Sequence, residues 1–213
     1  MSTTRVNTVR LQTMVKGFWE SAALMSGVEL GLFTAISKGH NTVESAATAL
    51  GIEVENAERL MTALTAMTLL ERDGDSFTNA ADVERFLVEG ASSYAGPWML
   101  FGKPAWNEWG NLTEHLRQPR SEQKVLGKYD DTFTVEHARE YHAATYSIGL
   151  GAARWFHKRV DLTGRKRIMD LGGGSGCYCI VAAQKLPDMT AVVLDLPSVA
   201  VVAREFIAEN NVQ

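Results

Sequence analysis

A run of alternating glycines between two short apolar segments is the part of this sequence best suited to holding a small ligand. Asp170 precedes Gly172, Gly174 and Gly176, and Asp195 follows nineteen residues after the last of these glycines. Glycine permits a positive φ angle and lets the backbone approach a ligand closely. A helix that begins there directs N–H groups at the ligand. A carboxylate at the end of the next strand can accept hydrogen bonds from both hydroxyls of a ribose. The pattern therefore predicts a nucleoside-binding turn, the alternative being a glycine-rich turn that holds no ligand.

The glycine spacing distinguishes between two classes of nucleotide cofactor. Dinucleotide-binding folds use G-x-G-x-x-G, and the helix after it receives a pyrophosphate at its N-terminus. In this sequence Asp170 stands two residues before Gly172. A carboxylate so close disfavours a pyrophosphate and suits a ligand that carries positive charge. The sulfonium and amino groups of S-adenosylmethionine (SAM) supply such charge, so we expect SAM as the cofactor.

The surrounding residues predict the elements that position this turn. The predicted elements are strands over 168–171 and 191–194 and helices over 176–186 and 197–210. Strand, glycine turn, helix, strand and acid form the nucleotide-binding unit of a doubly wound parallel sheet. A long helix is predicted before this unit, over 134–158. Its histidines His137, His142 and His157 do not share one helical face, so we expect surface or interior histidines and no metal site.

The N-terminal part predicts a mainly helical domain that ends in a small hairpin. Its first helical face carries large apolar side chains at three- and four-residue steps, namely Leu11, Met14, Val15, Phe18 and Trp19. We expect Gly27 and Gly31 to divide this stretch into two helices. The apolar face must pack either on its own domain or on a partner subunit, and the sequence leaves both open.

Two further helices and a turn complete a winged-helix arrangement. Asn41 and Glu44 predict a capping pair for a helix over 42–50, and a second helix is expected over 54–69. Asp73-Gly74-Asp75 then predicts the turn of a hairpin.

The charge of this arrangement disfavours DNA as a ligand. A DNA-binding winged helix presents basic or amide side chains to the major groove. Residues 53–72 instead carry four glutamates and two arginines, a net charge of −2, and the whole chain carries −4. Such charge repels a phosphate backbone. We therefore expect a folding and dimerisation module and no nucleic-acid partner.

The motifs resemble those of one enzyme family. Ile168–Gly176 and Val193–Pro197 resemble the glycine motif and ribose-binding acid of the O-methyltransferases that include plant caffeate, acetylserotonin and bacterial polyketide and phenazine enzymes. Leu30–Phe33 and Leu69–Glu71 resemble parts of that family's winged-helix dimerisation domain. The resemblance covers nearly the whole chain.

This resemblance implies a homodimer assembled through the N-terminal domain, a SAM cofactor and a small phenolic or otherwise hydroxylated acceptor. It also implies the residues that hold the cofactor, which are Asp170, Gly172, Gly174, Gly176 and Asp195. Ser147, in the helix before the glycine motif, matches a family position that contacts the methionine end of the cofactor.

The expected fold class is α plus α/β, with a winged-helix dimerisation domain followed by the first two parallel strands of a Rossmann-like domain. The expected boundaries are 1–95 for the dimerisation domain, 96–160 for a helical linker that helps to form the acceptor pocket, and 161–213 for the SAM-binding part. Large aromatic residues over 94–116 are expected to pack in a core, with an acceptor pocket as the alternative; they are Tyr94, Trp98, Phe101, Trp106 and Trp109. A polar loop is expected over 118–131.

The predicted SAM-binding part is short for its family. From Asp161 to the end there are 53 residues, enough for two strands and two helices. In the family, the histidine base that takes the acceptor proton lies beyond this point, so no catalytic residue is assigned. We expect a fragment or one half of a split enzyme, whose partner is a separate C-terminal segment. The alternatives are a non-catalytic dimerisation or regulatory protein and a family member that performs a non-methylating reaction.

The composition is that of an ordinary globular protein. The sequence has no stretch typical of a signal peptide or a membrane span. Its two cysteines, Cys177 and Cys179, are spaced for neither a disulfide nor a zinc clip. We therefore expect a cytoplasmic protein with no membrane partner.

Overall fold

The computed structural model describes residues 6–119 and 133–212. The chain divides between Leu100 and Phe101 into two compact units. Within the described ranges, no helix is long and apolar enough to cross a membrane. Most of the predicted polar loop over 118–131 lies outside the described residues.

The N-terminal unit is helical apart from one antiparallel hairpin, as predicted. Its elements are α1 (Val9–Glu29), α2 (Leu32–Ser37), α3 (Val43–Leu50), α4 (Val54–Ala66), β1 (Leu70–Asp73), β2 (Ser76–Asn79), α5 (Ala81–Phe86) and α6 (Gly96–Leu100). The two strands pair from Leu70 with Asn79 to Asp73 with Ser76, so the predicted turn lies at the hairpin tip. The helices and the hairpin enclose a core that includes Leu32, Phe33, Met61, Leu64 and Phe77.

The predicted break at two glycines occurs at only one of them. α1 continues through Gly27, where a Cβ would lie 3.0 Å from the ring of Phe33, so the missing side chain allows close packing. Gly31 adopts a φ angle of 72° and separates α1 from α2. The left-handed conformation ends the helix because it cannot continue the right-handed one.

The predicted cap of α3 is wrong by one residue. Thr42, not Asn41, is the N-cap, and its side chain exchanges hydrogen bonds with Ser45 in a capping box. Glu44 lies in the first turn without a role in this box. The register differs because Ser45 can fill the third helical position, which a Glu or Gln occupies in the common form of the motif.

The apolar face of α1 is exposed within the N-terminal unit. The side chains of Leu11, Met14, Val15, Phe18 and Trp19 are each between 53% and 68% accessible. Their own unit therefore does not bury them. Of the two explanations that the sequence left open, packing on their own domain does not occur.

The C-terminal unit contains a parallel two-stranded sheet and the helices around it. It begins with a 3₁₀ turn (Lys103–Ala105), followed by α7 (Trp106–Gly110), α8 (Leu112–Arg117), α9 (Val135–Arg159), β3 (Arg167–Leu171), α10 (Cys177–Lys185), β4 (Thr190–Leu194) and α11 (Pro197–Glu209). β3 and β4 pair in parallel in register from Arg167 with Thr190 to Leu171 with Leu194. This is the predicted strand–turn–helix–strand–helix unit.

α9 packs along both α10 and α11. Ala153 contacts Cys177 and Val181 of α10 in one buried cluster. Nearer its N-terminus, the guanidinium of Arg139 donates two hydrogen bonds to Glu205 of α11, at 2.7 and 3.0 Å. Through these contacts α9 helps to fix the positions of α10 and α11. The glycine turn lies between β3 and α10.

One face of the β3–β4 sheet is apolar and exposed. Met169, Leu171 and Leu194 are 55%, 72% and 55% accessible, and their alternation with inward residues places them on the face away from α10. An apolar face of this kind is usually covered in parallel sheets.

The aromatic residues of the linker do not form the predicted core. Trp98, Phe101, Trp106 and Trp109 are 39%, 41%, 36% and 69% accessible, and Tyr94 is half-buried. The prediction of core packing is therefore wrong for Trp98, Phe101, Trp106 and Trp109. The segment folds into several short helices instead of one amphipathic helix, so these rings do not align on one buried face.

Candidate functional site

The glycine turn and Asp195 meet at one edge of the C-terminal sheet. Because β3 and β4 are parallel neighbours, their C-terminal ends lie at the same edge. The Gly172 amide donates to the Leu194 carbonyl at 2.8 Å, and the Gly174 amide donates to Asp195 Oδ2, also at 2.8 Å. The other carboxylate oxygen of Asp195 accepts from the Leu196 amide at 2.7 Å. The chain thus brings the predicted turn and the predicted acid into direct contact.

Asp170 contributes a second carboxylate at the same place. It is the penultimate residue of β3, and its Oδ2 is buried with no hydrogen-bond partner among the described residues. Burial raises the pKa of this carboxyl, and the nearby negative charge of Asp195 raises it further. A buried acceptor without a donor is costly, and a ligand that brings a donor and positive charge would relieve that cost.

The glycine conformations fit the approach of such a ligand. Gly172, Gly174 and Gly176 all have positive φ angles, of 69°, 56° and 78°. A Cβ at Gly172 would meet no atom within 4 Å, so the space beside this turn is open. Open space, two carboxylates and an unpaired acceptor suit an adenosyl ligand that carries an amino group and a sulfonium. The same charges disfavour a pyrophosphate.

Ser147 lies on α9 and does not join this cluster in the structure. Its side chain is half-buried and has no hydrogen-bond partner among the described residues. It is five residues beyond His142, which rotates it well away from the helical face that meets the turn. A role for Ser147 at the methionine end of the cofactor stays a prediction.

His142 is the residue at this site that the sequence did not indicate. It is 8% accessible, and its Cε1 would lie 2.7 Å from a Cβ at Gly174. Burial lowers the pKa of the His142 imidazole, although the charge of Asp195 acts in the opposite direction. The histidine was expected to be a surface or interior residue, and it is an interior one. Its contact with the turn depends on how α9 packs, which no local pattern reveals.

Two buried thiols lie directly after the turn. Cys177 Sγ is 3.2 Å from the hydroxyl of Ser175 and 3.6 Å from the Tyr146 carbonyl. Burial raises the pKa of Cys177, and burial raises that of Cys179 to about 11. Both cysteines are free. Their thiols are therefore protonated packing groups at neutral pH.

Tyrosines of α9 lie near the turn but differ in their contacts. Tyr141 packs edge-to-face on Phe101, with ring centroids 5.3 Å apart. Tyr146 stacks on Phe206 of α11 at 4.2 Å and accepts a hydrogen bond from Asn210. Tyr146 therefore packs between α9 and α11, whereas Tyr141 packs on Phe101.

Comparison with known proteins gives the same assignment for both units. Residues 12–89 match the O-methyltransferase dimerisation domain, and residues 109–213 match the O-methyltransferase domain. The chain belongs to the O-methyltransferase family. The family resemblance and the mixed α/β fold predicted from the sequence are thereby confirmed.

Two of the relatives of this O-methyltransferase-family chain come from Streptomyces species. A 3-hydroxy-5-methyl-1-naphthoate 3-O-methyltransferase of Streptomyces sahachiroi is 32% identical over 200 residues, which cover 93% of this chain and 58% of that protein. The N,N-dimethyltransferase OxyT of Streptomyces rimosus is 31% identical over 209 residues, covering 95% and 61%.

A solved structure of an O-methyltransferase family protein from Burkholderia thailandensis superposes with a TM-score of 0.76 at 26% identity, covering 98% of this chain and 62% of the other. The chain therefore spans about 60% of the length of these relatives.

Proposed function

We propose that this chain is the dimerisation domain and the first part of the SAM-binding domain of a SAM-dependent O-methyltransferase. The observation that carries the proposal is the buried, unpaired oxygen of Asp170 beside an open glycine turn and a second carboxylate. A cationic adenosyl ligand satisfies that oxygen and balances the two negative charges. Membership of the O-methyltransferase family supports the same choice.

Each residue of the site has a separate task in this proposal. Asp170 accepts a hydrogen bond from the amino group of the cofactor, and Asp195 accepts hydrogen bonds from its ribose hydroxyls. Gly172 lets the backbone approach the ligand without side-chain obstruction, and Gly174 and Gly176 supply the left-handed conformations of the turn. The bound cofactor supplies an electrophilic methyl group. The chain's own residues bind and orient the cofactor.

Calorimetric titration with S-adenosylhomocysteine (SAH) tests the proposal. We expect saturable binding of SAH and SAM by the chain and no binding of NAD⁺, which serves as the control because it carries a pyrophosphate. Binding of NAD⁺ in preference to SAH would contradict the choice of cofactor. Absence of any adenosyl binding would favour the non-catalytic dimerisation protein that the sequence left as an alternative.

The acceptor that we propose is a small hydroxylated aromatic or polyketide-like molecule. The support is the naphthoate O-methyltransferase of Streptomyces sahachiroi, whose acceptor carries a ring hydroxyl. The relative from Streptomyces rimosus is named for transfer to nitrogen, so methylation assays need to include amines beside phenols. A family member with a non-methylating reaction would bind SAM in these assays and return it unchanged.

We also propose that the chain forms a homodimer through the exposed apolar face of α1. The match to a dimerisation domain supports this arrangement, and the accessible rings of Phe18 and Trp19 supply the apolar surface. Light scattering of the purified chain tests it, with twice the 23.4 kDa chain mass as the expected result.

We further propose that additional polypeptide covers the exposed face of the β3–β4 sheet, either in the same chain or as a separate C-terminal segment. The support is the accessibility of Met169, Leu171 and Leu194, together with the greater length of the relatives. Intact-mass measurement of the protein from its native cells distinguishes a longer chain from two separate ones. We place the assembled enzyme in the cytoplasm, because both cysteines are unpaired, and cell fractionation tests that placement.

A further inference from the structure

α9 presents one continuous face to the glycine turn, α10 and α11. His142, Tyr146, Gly149 and Ala153 follow one another at four-, three- and four-residue steps, which places them on one side of the helix. A Cβ at Gly149 would lie 2.8 Å from Cys177 Sγ, so the helix and the start of α10 are in close contact there. The helix is therefore held at a fixed distance from the turn, and His142 is the residue that reaches it.

The contact between His142 and the turn is tight. The ring atoms Cε1, Nδ1 and Nε2 of His142 would lie 2.7, 3.3 and 3.6 Å from a Cβ at Gly174. Gly174 is also left-handed and donates its amide to Asp195. A shift of Gly174 would therefore move the hydrogen bond that orients the Asp195 carboxylate.

The His142 imidazole makes no hydrogen bond elsewhere in the described part of the C-terminal unit. It is more than nine-tenths buried, and neither ring nitrogen has a hydrogen-bond partner among the described residues. Its neighbours are the ring of Tyr141, at 5.0 Å between centroids, and the charge of Asp195. By contrast, His157 of the same helix lies 3.3 Å from the Tyr178 carbonyl, a purely structural contact.

We propose that His142 is a positioning residue that holds Gly174 in its left-handed conformation and, through the Gly174 amide, orients Asp195 for the ribose of the cofactor. This role deepens the proposed function and rests on it for the identity of the ligand. The part that concerns the turn itself does not need a ligand. The two parts can therefore be tested separately.

The experiment compares His142→Ala and His142→Gln with the control His137→Ala in the full chain. His137 is an exposed histidine of the same helix. The first measurement is hydrogen exchange of the peptide that covers residues 171–176 in the ligand-free protein. The second is the dissociation constant of SAH. We expect His142→Ala to speed exchange of the turn about tenfold and to weaken SAH binding about tenfold.

The other variants make the result specific. Glutamine fills a similar volume without charge, so we expect His142→Gln to stay within about threefold of the wild type in both measurements. We expect His137→Ala to change neither. If His142→Ala does not fold, His142→Asn replaces it, because the shorter amide side chain cannot reach the turn. We expect His142→Asn also to speed exchange of the turn and to weaken SAH binding.

Three outcomes decide the proposal. Unchanged exchange of the turn in the Ala or Asn variant overturns it. Faster exchange with unchanged SAH affinity also overturns it, since the contact then has no bearing on the ligand. Faster exchange in a chain whose wild type binds no SAH supports the role of His142 in the turn and contradicts the proposed function instead.

Discussion

Asp170 combines burial, an oxygen without a partner and a neighbouring like charge. We predict that Asp170→Asn weakens SAH binding by about 10- to 100-fold, because a charge-assisted hydrogen bond to the ligand contributes about 1.5–3 kcal/mol. Calorimetry measures this loss. The exposed acid Asp188 provides the control, and Asp188→Asn should bind SAH as the wild type does. An equal loss in both variants would contradict a specific role for Asp170.

The same substitution should stabilise the ligand-free protein. The folded-state pKa of Asp170 is raised, so its contribution to stability is complete below the unfolded pKa and is lost as the pH rises through the folded pKa. At pH 7 the carboxylate is ionised in the unfolded chain, and the penalty applies. Since solvent partly screens this half-buried group, we expect Asp170→Asn to raise Tm by about 2 °C. The gain should vanish near pH 3.5, and a gain that persists there would contradict this cause.

At the scale of residues, the sequence predicted the turn but not the contact that braces it. The alternation of acid and glycines is local, so Gly172, Gly174 and Asp195 could be placed from strand order alone. His142 could not, because its approach to Gly174 depends on how α9 packs against α10 and α11. Ser147 came from family resemblance, and its role stays a prediction.

The capping box of α3 makes a prediction at the scale of an element. Thr42→Ala removes the side chain that accepts from the Ser45 amide. We expect a loss of about 1 kcal/mol and a fall in Tm of about 2–4 °C, measured by circular dichroism of the full chain. Asn41→Ala is the control. The known contact of Asn41 with the Phe77 amide uses its backbone carbonyl, so its substitution should be nearly neutral. A larger loss of stability for Asn41→Ala than for Thr42→Ala would instead support Asn41 as the N-cap.

Elements with strong periodicity were predicted within a few residues of their observed ends. α9 was expected over 134–158 and spans Val135–Arg159, and both parallel strands were found where expected. The wrong predictions concern segments whose sequence fits more than one local structure. Two neighbouring polar residues could each cap α3, and the aromatic residues over 94–109 fit either a core or the lining of a pocket.

At the scale of the whole molecule, the apolar face of α1 determines assembly. We predict that Trp19→Glu converts the proposed homodimer to a monomer, because a charge within an apolar interface must be desolvated without a partner. Size-exclusion chromatography with light scattering measures the mass. Thr13→Glu lies on the opposite side of α1 and should leave the dimer intact. Dissociation by both variants, or by neither, would contradict an interface centred on this face.

The reactivity of Cys177 and Cys179 reports local opening of the structure next to the glycine turn. Both thiols are buried immediately after the glycine turn, and their raised pKa values keep them protonated. A disulfide reagent such as Ellman's should therefore modify them on the order of 100-fold more slowly in buffer than in denaturant. Bound SAH should slow the modification further, so that ligand occupancy becomes visible as a colour change that needs no attached dye. Immediate modification in buffer would mean that this corner of the protein is open most of the time.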